Sequence, residues 1–371
     1  MTGYDRSRRQ DIAGLAREVA RLSALLTKER GVLGSPYLED QGLRRAYLLY
    51  FVPCNIPKMQ LPLKELYLHP MGLLSKEKLR VIDLGSGPGS ALLGVMNFFS
   101  GLEHAACVEL TAVDQVSENL SDAKALFNSA KKESGLDASL RIVRASILEA
   151  PERFNKEKFD LVILSNVLNE LFYGSNDKIK MRRDFIEAVM ENMSAREGSL
   201  IIIEPALRET SREMLEVGCG LMERGMNIYA PCPPEGLCAT LARPKDWHHE
   251  DIPWDPPDMI KEIDRIIGLR KDSLKFSYLI LRKDSLSVTD VYDCKVYRVV
   301  SDPLITKGKI EFYLCAREGR ILVVRMDRDR SDLNKAFGGL RRGDFVYIEN
   351  PIDEGRRLRV GKGTSVVVKT I

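Results

Sequence analysis

Hydrophobic positions near the start of the chain recur at three- and four-residue steps: Ile12, Leu15, Val19, Leu22 and Leu26. That period predicts an amphipathic helix over residues 7–30, ended by Gly31 and the Gly34-Ser35-Pro36 turn. A second helix is predicted from about Glu39 into Tyr50, ending near Pro53. Pro53, Pro57, Pro62 and Pro70 follow closely, so this stretch is expected to wrap rather than form a long element. From Lys78 the pattern alternates. Short apolar runs predict strands at 80–84, 109–113, 140–144, 159–165, 199–204 and 226–230. Helical patterns lie between them at about 89–99, 116–132, 179–195 and 208–223. Such alternation is the signature of a parallel sheet covered on both faces. A helix at about 257–266 leads into KFSYLILRK, residues 275–283, a strand expected to complete the sheet as its antiparallel edge. The period then shortens, with strands predicted at 293–300, 308–315, 320–327, 344–349, 356–360 and 365–370 and one short helix near 331–338. Five or six strands with a helix after the third is the plan of an OB-like β-barrel.

These shifts divide the chain into a helical extension (1–77), an α/β domain (78–288) and a β domain (289–371). At 371 residues it can bury a large core. The formal charge of +3 does not mark the whole chain as a nucleic-acid binder. From Asp290 onward, however, 17 Lys and Arg stand against 12 Asp and Glu, a surplus that suits an RNA partner and equally a solvated β surface. No apolar run approaches the ~20 residues of a membrane span, and MTGYDRSRRQ is not followed by a signal-peptide core. Seven thinly spread cysteines argue against a secreted disulfide framework. The expectation is a cytoplasmic protein without a membrane span.

Candidate chemistry gathers at the carboxyl ends of the predicted strands, where open α/β sheets bind their ligands. Residues 79–90 read LRVIDLGSGPGS: a buried strand, Asp83, then Gly85, Gly87 and Gly89 before a helix. Glycines there let a ligand approach the backbone without meeting a Cβ. The spacing is not that of a dinucleotide G-x-G-x-x-G turn. It resembles the D-x-G-x-G-x-G of class I S-adenosylmethionine (SAM) methyltransferases. Asp114 after strand two is placed to chelate ribose hydroxyls, and Ser146 after strand three to lie by an adenine ring. Asn166, Asn169 and Glu170 follow strand four, and Glu204 follows strand five. Each of these also reads singly as a helix cap or loop residue. Cys232 and Cys238, with five residues between them in a Pro/Gly-rich loop, are followed by His248 and His249. Thiolates and imidazoles in one loop suit a metal or iron–sulfur site, although C-x5-C is not a common zinc spacing, and packing cysteines read equally well.

Along nearly its whole length the chain resembles a methyltransferase-like small-ribosomal-subunit assembly family, known from mitochondria and with archaeal and bacterial members. The resemblance is carried by DLGSGPGSA (83–91), FDLVILSNVLNEL (159–171), IIIEPA (201–206), APCPPEGLC (230–238), DWHH (246–249), KFSYLIL (275–281), and by YRVVSDPLITKGKIEFYLCAREGRI with LRRGDFV near the end. It implies a class I, Rossmann-like methyltransferase domain with a four-ligand site, a [4Fe–4S] cluster in mitochondrial members. Here the ligands would be Cys232, Cys238, Cys315 and, where the family has its fourth cysteine, His248. Three cysteines and a histidine are also an ordinary zinc set. The implied function is SAM-dependent methylation of small-subunit rRNA, or a part in assembling the small subunit. The alternative is a catalytically inactive, RNA-binding assembly factor on the same scaffold. The expected partner is small-subunit rRNA or a pre-ribosomal particle, with the protein monomeric off it. Asn166, Asn169 and Glu170 are the catalytic candidates. Neither an N-P-P-Y motif nor a Pro-Cys after strand four accompanies them.

Overall fold

The computed structural model describes residues 3–29, 37–102, 107–231, 238, 240–316 and 319–369, with side chains of the first helix from residue 11. Helix α1 (Gly3–Thr27) opens the chain. It buries Leu15, Val19 and Leu22 against α2 (Gln41–Ala46), Tyr50 and, from far along the sequence, Ile260 and Ile263 of a later helix. A π-helical turn, Tyr47–Phe51, follows α2 directly and runs into α3 (Val52–Asn55), a 3-10 turn at Ile56–Met59 and α4 (Gln60–Tyr67). The proline-rich stretch, expected to wrap rather than form a long element, is a succession of short helical segments. Pro53 and Pro57 each fall at the start of a new helical segment, where a missing N–H leaves no bond unmade.

The α/β region follows the predicted alternation: β1 (Lys78–Leu84), α5 (Ser90–Ser100), β2 (Cys107–Asp114), α6 (Ser117–Ser134), β3 (Ala138–Arg144), α7 (Ala150–Arg153), β4 (Phe159–Ser165), α8 (Lys178–Asn192), β5 (Ser194–Pro205), α9 (Arg208–Met222), β6 (Asn227–Ala230), β7 (Glu250–Pro253), α10 (Asp258–Ile267) and β8 (Ser273–Arg282). Strand order is β3-β2-β1-β4-β5-β8-β6, with β7 also pairing β8. Strands β1 to β5 are mutually parallel. Strand β8 is antiparallel to β5 and to β6, so it lies inside the sheet and not at its edge. Its burial pattern explains this: nine of its ten residues fall short of exposure and eight are buried, which leaves no solvated side. Alternate residues of each strand face opposite layers. Val81, Leu161, Ile163 and Ile201 pack toward α4, α5 and α6, while Ile82, Val162, Leu164 and Ile202 pack toward α8 and α9.

The C-terminal strands are β9 (Tyr297–Val299), β10 (Leu304–Thr306), β11 (Lys309–Ala316), β12 (Gly319–Met326), β13 (Phe345–Glu349), β14 (Ile352–Asp353), β15 (Arg357–Arg359) and β16 (Ser365–Lys369). They form one sheet, β14-β15-β12-β11-β9-β13-β16, with β10 on β11. The expected OB-like barrel is thus corrected to an open, curled sheet: among the described residues its end strands, β14 and β16, do not pair with each other. Strand β14 has two residues and β15 three, too short to carry the sheet round to closure. The predicted helix is a 3-10 segment, Asp332–Gly339. This sheet has a core of its own around Phe312, Phe337 and Val346. Phe345, Val288 and Val296 nevertheless join the α/β core, which ties the two sheets together.

Candidate cofactor cavity

The turn after β1 has all three glycines at positive φ: Gly85 at 75°, Gly87 at 51° and Gly89 at 86°. Space as well as conformation requires the first of them, because a Cβ on Gly85 would stand 2.6 Å from Cγ2 of Val167. The N–H groups of Gly85 and Ser86 both donate to the Val113 carbonyl, at 2.8 and 2.9 Å, which folds the turn onto the end of β2. Asp114, the last residue of β2, completes the join. Its carboxylate accepts from the Gly87 N–H at 2.9 Å, the Val116 N–H at 2.8 Å and the Asn119 amide at 3.2 Å. Asp114 thus shapes the turn as well as facing the space above it.

That space is a cavity of about 270 Å³ over the carboxyl ends of β1, β2 and β4. Gly85, Gly87 and Asp114 form its floor, Ser146 and Leu148 one wall, and Asn166 and Glu170 another; Tyr37 and Tyr47 close it from the N-terminal helices. Those helices can lie this close because Gly94 of α5 leaves room: a Cβ there would stand 2.6 Å from the Ile56 carbonyl oxygen. Sequence reasoning missed both tyrosines. Aromatic residues at helical spacing carry no mark that separates a cavity lid from core.

Asp83 does not line the cavity. It sits behind the turn, 1% exposed, with neither carboxylate oxygen hydrogen-bonded. Burial first, and then the nearby Asp114 charge, push its carboxyl up to about 8. A cation near the turn would stabilise the ionised form.

The turn after β4 divides the three catalytic candidates. Asn166 stands at φ 58° and lines the cavity, its N–H donating to the Ile203 carbonyl at 2.8 Å. Glu170 also lines it and accepts from the Tyr37 hydroxyl at 3.4 Å. Asn169 is buried away from it. Its N–H donates to Glu204 at 3.3 Å and its carbonyl accepts from the buried Arg182 at 2.9 Å. Glu204 in turn is held up at about 7 by burial, with Oε2 unpartnered. Ser146 accepts the Leu148 N–H as a helix cap, so its oxygen is committed locally as well as facing the cavity.

The cysteine loop lies elsewhere. Cys232 is outside the described residues, and Cys238 and Cys315 are half-buried. His248 is half-buried, its Nε2 shielded from solvent without a hydrogen bond and 3.6 Å from Glu250 Oε1, and desolvation brings its imidazole down to about 4. Among the described residues no three His, Cys, Asp or Glu side chains cluster as metal ligands. The register of the C-terminal sheet is informative, however. Cys315 is paired with Arg298 on β9 and with Arg320 on β12, and directly opposed residues share a face. Arg298 reaches the Pro231 carbonyl at 3.1 Å, and Arg320 pairs with Asp246. Cys315 therefore shares its sheet face with two arginines that reach Pro231 and Asp246. Cys219 of α9 belongs to this neighbourhood too, its thiol accepting a hydrogen bond from the Cys238 backbone. Arg212 of α9 fastens the loop by donating to the carbonyls of Thr240, Leu241, Arg243 and Asp246.

Comparison with known proteins adds the family. Solved structures with a similar α/β region include precorrin-6y C5,15-methyltransferase from Geobacter metallireducens, at 13% identity over 57% of this chain and 84% of that one, TM-score 0.33. Another is a SAM-dependent methyltransferase from Geobacter sulfurreducens in complex with S-adenosyl-L-homocysteine, at 15% identity over 61% and 90%, TM-score 0.32. A third, from Methanococcus maripaludis, shows 12% identity over 67% and 93%, TM-score 0.33. Curated protein sequences give no match. The family model described as mitochondrial small ribosomal subunit Rsm22 matches residues 76–344. That range takes in the glycine turn, the β4 turn, the cysteine loop and Cys315, and it exceeds half of the chain; the protein belongs to the Rsm22 family of the mitochondrial small ribosomal subunit.

Proposed function

We propose that the cavity binds SAM and that the protein is a methyltransferase-like factor acting on small-subunit rRNA or in small-subunit assembly. The observation that carries the cofactor reading is the glycine turn locked by Asp114 beneath a cavity that mixes apolar and polar lining. Asp114 would take the ribose hydroxyls with lone pairs its three donors leave open, and Ser146 and Leu148 would border the adenine. Gly85 and Gly87 would admit the methionine portion, whose positive charge would favour ionisation of Asp83 behind the turn without touching it. When bound, the cofactor would supply an electrophilic methyl group. The chain's part would be to orient an acceptor in line with it. Family membership supports the ribosomal partner. The test is incubation of immature small-subunit particles with labelled SAM. Label in rRNA that depends on Asp114 supports methylation, and its absence with cofactor bound favours the scaffold reading.

One feature favours that second reading, a catalytically inactive assembly factor. Asn169 and Glu204 are joined to Arg182 as a buried strut and do not face the cavity. In either case the basic surplus after Asp290 would bind rRNA phosphates, with affinity falling steeply as salt rises.

Cys232, Cys238, His248 and Cys315 would hold an iron–sulfur cluster or a zinc ion. The face that Cys315 shares with Arg298 and Arg320, and the unpartnered, buried Nε2 of His248, fit such a group. Its role would be to staple the C-terminal sheet to the α/β domain. Iron, sulfide and zinc analysis after anaerobic purification decides its identity. Full metal content in Cys315→Ser would refute the staple.

A further inference from the structure

One hairpin of the C-terminal sheet stands clear of the core. Strand β10 pairs with β11, Leu304 opposite Glu311, Ile305 opposite Ile310 and Thr306 opposite Lys309. Lys307 and Gly308 make the turn between them, Gly308 at φ 83°. Residues 302–307 are exposed without a break. Two of them are large and apolar, Leu304 at 42% exposure and Ile305 at 74%. Neighbours in a strand point to opposite faces, so each face of the ribbon presents an aliphatic side chain to solvent. Among the described residues β10 has no strand on its outer side.

The charge at the tip narrows what can cover it. The Asp327 N–H donates to the Gly308 carbonyl at 2.9 Å, which holds the short 3-10 turn Asp327–Asp329 beside the hairpin. Lys307, Arg328 and Arg330 are exposed there. Of the acids in the same stretches, Glu311 is held by Lys309 at 2.8 Å and Asp329 by Arg359 at 3.6 Å, so Asp327 alone offsets the three cations. The tip is cationic around two apolar points. A strand added from another protein fits it poorly: β10 has three residues and follows Pro303, which has no N–H, so its outer edge has few backbone groups to share. Nucleic acid meets both requirements, with phosphates for the cations and ribose carbons for the aliphatic side chains.

We propose that the β10–β11 hairpin docks in the minor groove of an RNA duplex, with Leu304 and Ile305 against the sugars and Lys307, Arg328 and Arg330 on the phosphates. The inference rests on the ribosomal reading above and gives it a surface. The A-form minor groove is wide and shallow, open to a two-stranded ribbon, whereas that of B-DNA is narrow. Aliphatic side chains offer no hydrogen bond to a base, so the hairpin reads the shape of the duplex and not its sequence.

The probe is a fluorescein-labelled RNA duplex of about 16 base pairs, long enough to present two successive minor grooves. The full-length protein is titrated into it and anisotropy is read across a salt series. Wild type should bind, more weakly as salt rises, and should bind a DNA duplex of the same sequence roughly tenfold less tightly. Ile305→Ser should weaken RNA binding about tenfold, the loss of one buried aliphatic side chain, and leave the salt slope unchanged. Lys307→Gln should instead lower that slope by about one. Both side chains are exposed, so both variants should melt at the wild-type temperature. RNA binding unchanged in Ile305→Ser overturns the proposal, and so does equal affinity for the DNA duplex. Attachment to phosphatidylglycerol vesicles that Ile305→Ser abolishes, with no effect on RNA binding, would name a membrane surface as the occupant and overturn it as well. A wild type that binds no RNA removes the rRNA reading and this inference together, whereas a wild type that binds RNA through another surface removes this inference alone.

Discussion

Asp83 and Asp114 show how two carboxylates a few residues from one turn can differ in role. Asp114 is hydrogen-bonded by three donors, whereas Asp83 is buried with none. Both could be selected from sequence because an acidic residue at a predicted strand end is a local pattern, reinforced for Asp83 by the glycines that follow it. Their difference in solvation could not, since it depends on what the rest of the fold places behind the turn. The folded-state carboxyl of Asp83, at about 8, lies above its value in the unfolded chain, so the folded protein holds this proton more tightly. Its contribution to stability is complete below about pH 4, diminishes as pH rises, and is lost above about 8. Asp83→Asn, which carries no proton to lose, should flatten the fall in Tm across that range. A Tm profile as steep as that of wild type would contradict the assignment.

At the scale of elements, the alternation from Lys78 was legible because buried parallel strands and amphipathic helices have different periods. Strand β4 falls where expected, at Phe159–Ser165. Two misreadings share a cause: local pattern does not say what an element packs against. Strand β8 has the look of an edge only while its second neighbour, β6, is unknown. The prolines between Pro53 and Pro62 break a helix only if they fall inside one, and here Pro53 and Pro57 begin segments. Closure of the C-terminal strands is likewise a matter of pairing between distant segments. The turn after β1 and the turn after β4 act as one unit through Gly85 and Val167. Gly85→Ala should lower stability by about 1–2 kcal/mol from the left-handed backbone alone, with a further loss from the collision with Val167. Adding Val167→Ala should recover the second part and not the first. Equal stability of the single and double variants in urea denaturation would show that the contact is not the constraint.

Across the whole molecule, the junction between the two sheets is a buried ionic cluster that no motif announced. Arg298 on β9 donates to Glu65 of α4 at 2.7 Å and to Glu250 of β7 at 3.1 Å. Its guanidinium stands 4.9 Å from the Phe345 ring centroid. Tyr278 adds a hydrogen bond to Glu65 at 2.6 Å. Burial raises the Glu65 carboxyl while Arg298 opposes the rise. Removing one partner from such a cluster strands charge in the interior, so Arg298→Met should cost about 3–5 kcal/mol. A loss below about 1 kcal/mol, the range of exposed pairs, would mean that the sheets are held by apolar contacts alone. The same cluster places β9 against Pro231, and Arg320 of β12 holds Asp246, so the strands on either side of β11 meet a stretch of chain distant in sequence.

The central claim is that the Asp114-locked glycine turn is the floor of a SAM site. Titration of SAM into the purified chain, followed by calorimetry, tests it most directly, with Asp114→Ala as the comparison. One site per chain is predicted, weakened at least tenfold in the variant, as the loss of a charged acceptor requires (about 1.5–3 kcal/mol). No heat of binding at millimolar SAM, or wild-type affinity in Asp114→Ala, would contradict it.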